Sequence, residues 1–196
     1  MSVTQQRSRL TAAERREQLL DVTALLAAED GFHRISIEAV ARRAGITRPI
    51  VYEHFGDLPG LLEAMVDREN ERALAQLAEV LPSEIAGEPG EALVAALRGY
   101  LEAVRAEPVR WRLVLMPSEG APEVLRERIR SGRTGVLAAL ASVLGPGLDS
   151  PDPPLTAATL SAVADEAARL ALEDPEKFPV DRLVAHAAWI LGRLEG

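Results

Sequence analysis

Two short runs with helical spacing, Ile37 to Ala44 and Thr47 to about His54, are joined by only Gly45-Ile46. That junction limits the possible folds more than any other feature of the chain. Two helices crossing steeply through so short a turn need a small residue where they touch, and Ala41 supplies it. The turn needs a residue free to adopt positive φ, and Gly45 stands four positions on. The second helix needs an apolar residue facing the first, a place filled by Val51. Val40, Ala44, Ile46 and Phe55 complete a small shared core. Such a pair is predicted to be a helix-turn-helix, whose second helix enters the major groove of DNA. An ordinary αα-hairpin would share the same Ala and Gly, so the spacing alone leaves both readings open.

The rest of the chain also reads as helix, and the expected fold class is all-α with nine helices and no strand. Thr11 and Glu14 have the spacing of a capping box, and Asp30-Gly31 closes the first helix with Gly31 expected in a left-handed cap. Ser36 caps the second helix and Thr47 the third, with Pro49 in its first turn. Asp57 caps a long fourth helix that runs to about Leu81. A breaker cluster over residues 82–90 follows. Further helices are expected from Glu91 to Ala106, from Pro108 to Met116, and from Pro122 to Leu144. Gly145-Pro146-Gly147 and the prolines at 151, 153 and 154 predict a long loop. Thr156 is expected to cap the eighth helix, ending at Glu173, and the ninth spans Val180 to Leu194. Two units are expected: residues 1–57 and residues 58–196.

A net charge of −8 looks wrong for a chain that meets DNA. Its distribution changes the reading. Residues 1–57 hold eight arginines and eight acids, so the whole acidic excess lies beyond them. An acidic body repels DNA and leaves the less acidic end to meet it. With no cysteine, disulfides and thiolate metal sites are excluded. No apolar run reaches the ~18 residues of a membrane helix. The first twenty residues lack an apolar signal core, so the cytoplasm is the expected compartment.

From Gly31-Phe32 through Ser36-Ile37, Val40-Ala41, Ala44-Gly45-Ile46 and Tyr52-Glu53-His54-Phe55, the sequence closely resembles the N-terminal domain of the tetracycline-repressor family. The resemblance covers about residues 10–65. It implies a homodimer whose two recognition helices read a near-palindromic operator. It also implies DNA contacts from Thr47, Arg48, Pro49 and Ile50 at the start of the third helix, and from Tyr52 and His54 further along. Ser36 matches the cap of a helix whose N-terminus faces a phosphate. The chemistry suits these places. Arg can hold guanine with two hydrogen bonds, Pro or Ile can pack on a thymine methyl, and Tyr and His suit phosphate oxygens. One position departs from the pattern: Leu58 stands where the family usually has a phosphate-contacting Lys. Arg42, Arg43, Arg7 and Arg9 are candidates to compensate, though a solvated basic face explains Arg42 and Arg43 equally well.

In similar repressors the fifth and sixth helices help to enclose a ligand cavity. Leu97, Tyr100, Leu101, Val104, Trp111, Leu115 and Met116 are the candidates here, for a small apolar effector. For any one of them a plain core role is the better reading of the helical spacing. Arg110, Arg112 and Glu119 read as surface charges, and Asp165-Glu166 with Arg169 as a helix-surface ion pair. The resemblance implies dimerisation through residues 156–194. No catalytic constellation stands out. His33, His54 and His186 lack the spacing of a zinc site, there is no phosphate-binding glycine loop, and no cofactor is implied. The leading expectation is a ligand-responsive repressor. The alternative is a helical adaptor of the same fold that has lost operator recognition.

Overall fold

The computed structural model describes residues 10–85, 87–117 and 120–194. Arg7, Arg9 and Glu119 lie outside the described residues. Among the described residues there are nine α-helices and no strand. They are α1 (Ala12–Asp30), α2 (Ile37–Ala44), α3 (Arg48–Phe55), α4 (Leu58–Val80), α5 (Pro89–Ala106), α6 (Pro108–Leu115), α7 (Glu123–Leu148), α8 (Pro153–Glu173) and α9 (Val180–Leu194). A short 3-10 turn, Phe32–Arg34, follows α1. No helix among these residues is long and apolar enough to cross a membrane.

The helix starts follow local chemistry. Thr11 Oγ1 accepts from the Glu14 amide at 3.2 Å, and Glu14 Oε2 accepts from the Thr11 amide at 2.8 Å, closing the capping box. Ser36 Oγ accepts from the Ala39 amide at 3.1 Å, and Asp57 Oδ1 from the Gly60 amide at 2.8 Å. Gly45 sits at φ 68°, ψ 36°, the left-handed turn expected of it. Gly31 differs. At φ 82°, ψ 160° it is positive but extended, and it feeds the 3-10 turn rather than a helical cap.

The loop expected at Gly145-Pro146-Gly147 is helix instead, since α7 runs through it to Leu148. These glycines serve packing. A Cβ at Gly145 would lie 2.9 Å from Pro153 Cγ, and one at Gly147 would lie 2.5 Å from Ile85 Cγ1. Pro146 lacks the N–H that would reach the Ser142 carbonyl, so α7 gives up one backbone bond in its last two turns. The stop comes at Asp149, left-handed at φ 49°. Asp152, not Thr156, caps α8, accepting from the Leu155 amide at 3.1 Å. Thr156 meets the Ser150 hydroxyl at 2.6 Å instead.

Two apolar cores result. Leu19, Leu20, Val40, Val51, Leu61 and Met65 fill the first and are fully buried, each stabilising by about 1.5–3 kcal/mol. Leu113 of α6 and Leu125 of α7 also belong to it, so the N-terminal helices do not close their core alone. Ala73, Tyr100, Leu101, Val104, Trp111, Ala168 and Leu172 form much of the second. Helix α4 serves both without a break, giving Leu61, Met65 and Val66 to one and Ala73 to the other.

Candidate nucleic-acid interface and adjoining cavity

Helix α3 is anchored on one side and bare on the other. Val51 is completely buried, and the Arg16 guanidinium of α1 lies 5.2 Å from the centre of the Phe55 ring at its far end. Thr47, Arg48, Pro49 and Tyr52 are exposed, with Ile50 and His54 half-buried between them. Thr47 begins the helix with extended backbone, yet its hydroxyl makes no capping bond and stays available. Arg48 makes no ion pair among the described residues, and neither does Arg42 in the last turn of α2. Arg43 instead pairs with Glu29 at 3.0 Å, both well exposed. Ser36 spends its acceptor on its own helix, leaving its hydroxyl proton free. Glu53, exposed between Tyr52 and His54, adds an acceptor to the bare face. Leu58 has an apolar reason to be there, because it packs half-buried against the first core.

A polar chain, buried at Glu69 and Arg110 and open to solvent at Glu17 and Asp21, links this unit to the rest. Arg68 of α4 donates to Glu17 Oε2 at 3.0 Å, pairs with Asp21 at 2.9 Å and holds Glu69 Oε1 at 2.6 Å. Burial alone would lower the Arg68 pKa, but Glu69, Asp21 and Glu17 together raise it. Burial would likewise raise that of Glu17, yet Arg68, Arg72 and Arg16 hold it below its ordinary 4.5. Arg110 of α6 donates from Nε to the other Glu69 oxygen at 3.0 Å and from Nη1 to Gln76 Oε1 at 2.9 Å. The same Gln76 oxygen accepts from Trp111 Nε1 at 3.1 Å. Arg110 is therefore not the surface charge expected from the sequence. It is buried because α4 brings a buried carboxylate to it. Arg112 also turns inward, donating to the Leu172 carbonyl at 3.0 Å.

Trp111 forms part of the wall of a half-open cavity of about 920 Å³ bordered by α4 to α9. Leu97, Tyr100 and Leu115 line it too. Leu101 and Val104 do not. Both are completely buried in the second core, one and two turns further along the same face of α5 as Leu97. Met116, half-buried at the end of α6, packs against that core and is also absent from the wall. Tyr100 and Trp111 meet edge to face at 5.4 Å. The polar part of the wall departs furthest from expectation. Asp165 is buried and accepts from the Tyr100 hydroxyl at 3.0 Å and from Arg133. Burial and the adjoining carboxylate push the Tyr100 phenol strongly upward, so it stays a neutral donor. Only Glu166 and Arg169 form the surface pair expected, at 3.0 Å. Nothing in the sequence around Asp165 marks it as buried, since α7 and α5 cover it from far away in the chain. Among the described residues no cluster of three or more His, Asp or Glu is arranged to hold a metal ion.

Fold and anchored third helix define the class, an all-helical chain carrying a helix-turn-helix in its N-terminal part. Residues 19–65 match the family model for bacterial regulatory proteins of the tetR family. The N-terminal unit is thus similar to that family, and the whole chain has the fold of solved TetR-like regulators. It is similar to a TetR-like transcriptional regulator from Rhodococcus sp. RHA1, with 26% identity, a TM-score of 0.72, and coverage of 92% of this chain and 97% of that one. It is 25% identical over 107 residues to the HTH-type transcriptional activator FasR of Mycolicibacterium smegmatis, over 55% of this chain and 48% of FasR. It is 46% identical over 50 residues to the HTH-type transcriptional regulator BetI of Serratia proteamaculans, over 26% of this chain and 25% of BetI. The chain thus spans half or less of the length of these curated relatives.

Proposed function

We propose that this protein is a homodimeric transcriptional repressor that binds a near-palindromic DNA operator and leaves it on taking up a small apolar molecule. Residues 1–57 would bind DNA, and residues 58–196 would hold the effector and the dimer contacts, the latter within residues 156–194. One observation carries the DNA reading. A helix fixed by buried Val51 and by Phe55 turns Thr47, Arg48, Pro49 and Tyr52 outward together, with Arg48 unpaired among the described residues. Arg48 would read a base, while Ser36, Tyr52, His54 and Arg42 would meet the backbone. Arg43, held by Glu29, would contribute less.

The effector reading rests on the cavity and its apolar wall, of a size that suits a drug-sized ligand. The dimer reading rests on bare apolar side chains of α8 and α9, with Val163 60%, Trp189 58% and Ile190 41% exposed. Repression rather than activation is part of the proposal, and the relative FasR is named an activator. A DNA target implies the cytoplasm as the site of action. Selection from random oligonucleotides with the full chain tests the whole reading. Enrichment of a palindrome supports it, and no enrichment overturns it.

A further inference from the structure

Several acids of the N-terminal unit have a task in the fold. Glu14 closes the capping box, Glu17 and Asp21 hold Arg68, Glu29 holds Arg43, and Asp57 caps α4. Glu53 is exposed and makes no hydrogen bond or ion pair among the described residues. It stands in the last turn of α3, where the helix dipole disfavours a negative charge. A DNA strand approaching that face adds a second penalty, since a carboxylate repels phosphate. Neither the fold nor a general attraction to DNA accounts for a carboxylate there.

Its direction does. At 3.6 residues per turn, Pro49 and Glu53 lie about 160° and 200° around α3 from Val51. Val51 is completely buried in the first core, so these two residues stand on the face turned away from it. They are one turn apart, and both are exposed. The proline side chain forms no hydrogen bonds, which leaves Glu53 as the polar group in the middle of the bare face. With α3 in a major groove, that face meets the base edges. A carboxylate only accepts hydrogen bonds. Guanine and thymine present acceptors, and the donors are cytosine N4 and adenine N6. Adenine N6 lies between two acceptors, its own N7 and the O4 of its thymine. Cytosine N4 adjoins one, the O6 of its guanine, so a carboxylate meets least repulsion there.

Resting on the operator reading above, we infer that Glu53 is a specificity-determining residue, accepting from the N4 amino group of one cytosine in each half-site. It lowers affinity for DNA in general and restores it at the base pair whose amino group it meets. The test is selection from random oligonucleotides, run in parallel with the full-length parent, Glu53→Ala and Glu53→Gln. Titrations of the selected duplex and its single-base variants follow. In the parent, replacing one C·G pair in a half-site is expected to weaken binding about tenfold. Glu53→Ala is expected to remove that preference and to bind an unrelated duplex more tightly than the parent does. Glu53→Gln is expected to move the preference to adenine, because Gln pairs with its N6 and N7. A change that only disturbed the seating of α3 would lower the melting temperature, weaken all duplexes and keep the order of bases. Unchanged base preferences in both variants, or a preference lost at A·T pairs only, overturn the inference and leave the operator reading standing. A parent that enriches no palindrome overturns the operator reading and the inference with it.

Discussion

Arg48 stands in the first turn of α3, exposed and unpaired among the described residues, where a guanidinium can reach a guanine edge. Arg48→Ala is expected to cost about 1–3 kcal/mol of operator binding and to relax preference at one base pair per half-site. Tyr52→Phe should weaken all sites evenly. Binding titrations against single-base operator variants separate the two patterns. Gly60 tests the seating of the same helix. A Cβ there would come 2.4 Å from the Phe55 carbonyl oxygen, a backbone atom that cannot swing aside. Gly60→Ala is therefore expected to destabilise the chain by about 1–3 kcal/mol, read from chemical denaturation. Glu17 supplies a pH signature. Its folded pKa lies below the ordinary 4.5, so its stabilising contribution is present above that value and is lost as pH falls through the folded pKa. Melting temperatures of the parent and Glu17→Gln should differ near neutrality and converge in acid.

At the scale of helices, α4 is the element through which the two cores are joined. Its N-terminal half packs with α1 to α3, and its C-terminal half borders the cavity. The polar chain from Glu17 through Arg68, Glu69, Arg110 and Gln76 to Trp111 runs along it. A displacement at the cavity wall thus has a route of direct contacts to α1. The bare face of α8 and α9 gives a second element-scale expectation. Trp189 is more than half exposed and, among the described residues, stacks on His186 and Arg193. Trp189→Glu should therefore leave the fold intact and yield a monomer, since a carboxylate is costly only where a partner buries it. Native mass spectrometry checks the assembly, and a stable dimer would move the interface elsewhere. Loss of the dimer should weaken operator binding, because the second half-site contact is no longer tethered.

For the whole molecule, coupling between cavity and DNA is bound by reciprocity. An effector weakens operator binding only by its differential affinity for two arrangements of the recognition helices. DNA must weaken effector binding by the same factor. In the Trp189→Phe protein, Trp111 on the cavity wall is the remaining tryptophan and reports binding by fluorescence. Effector affinity measured there with and without saturating operator should change by the factor seen in operator release. Equal affinities in the two states would contradict the mechanism. The charge layout belongs to this scale too. The excess of acid lies beyond residue 57, so the body is repelled by DNA while the N-terminal unit, with balanced charge, can approach. Binding should weaken steeply with salt, since each phosphate contact releases counterions.

What the sequence by itself determined is what neighbours within a helical turn decide. The capping box at Thr11, the caps at Ser36 and Asp57 and the left-handed Gly45 all follow from interactions over three or four residues, and helical spacing puts Val51 and Arg48 on different faces of α3. The tertiary structure alone decided matters that depend on what lies across a gap. Gly145 and Gly147 read as turn residues, but they are there because Pro153 and Ile85 approach too closely for a side chain. Arg110 and Asp165 read as surface charges, but α4 brings Glu69 to one, and α5 and α7 bring Tyr100 and Arg133 to the other. Leu97 and Leu101 share a face of one helix, yet only Leu97 lines the cavity. Helical spacing specifies which side chains share a face of a helix. Whether that face meets solvent, a partner charge or an open space depends on distant segments of the chain, and so on the packed molecule.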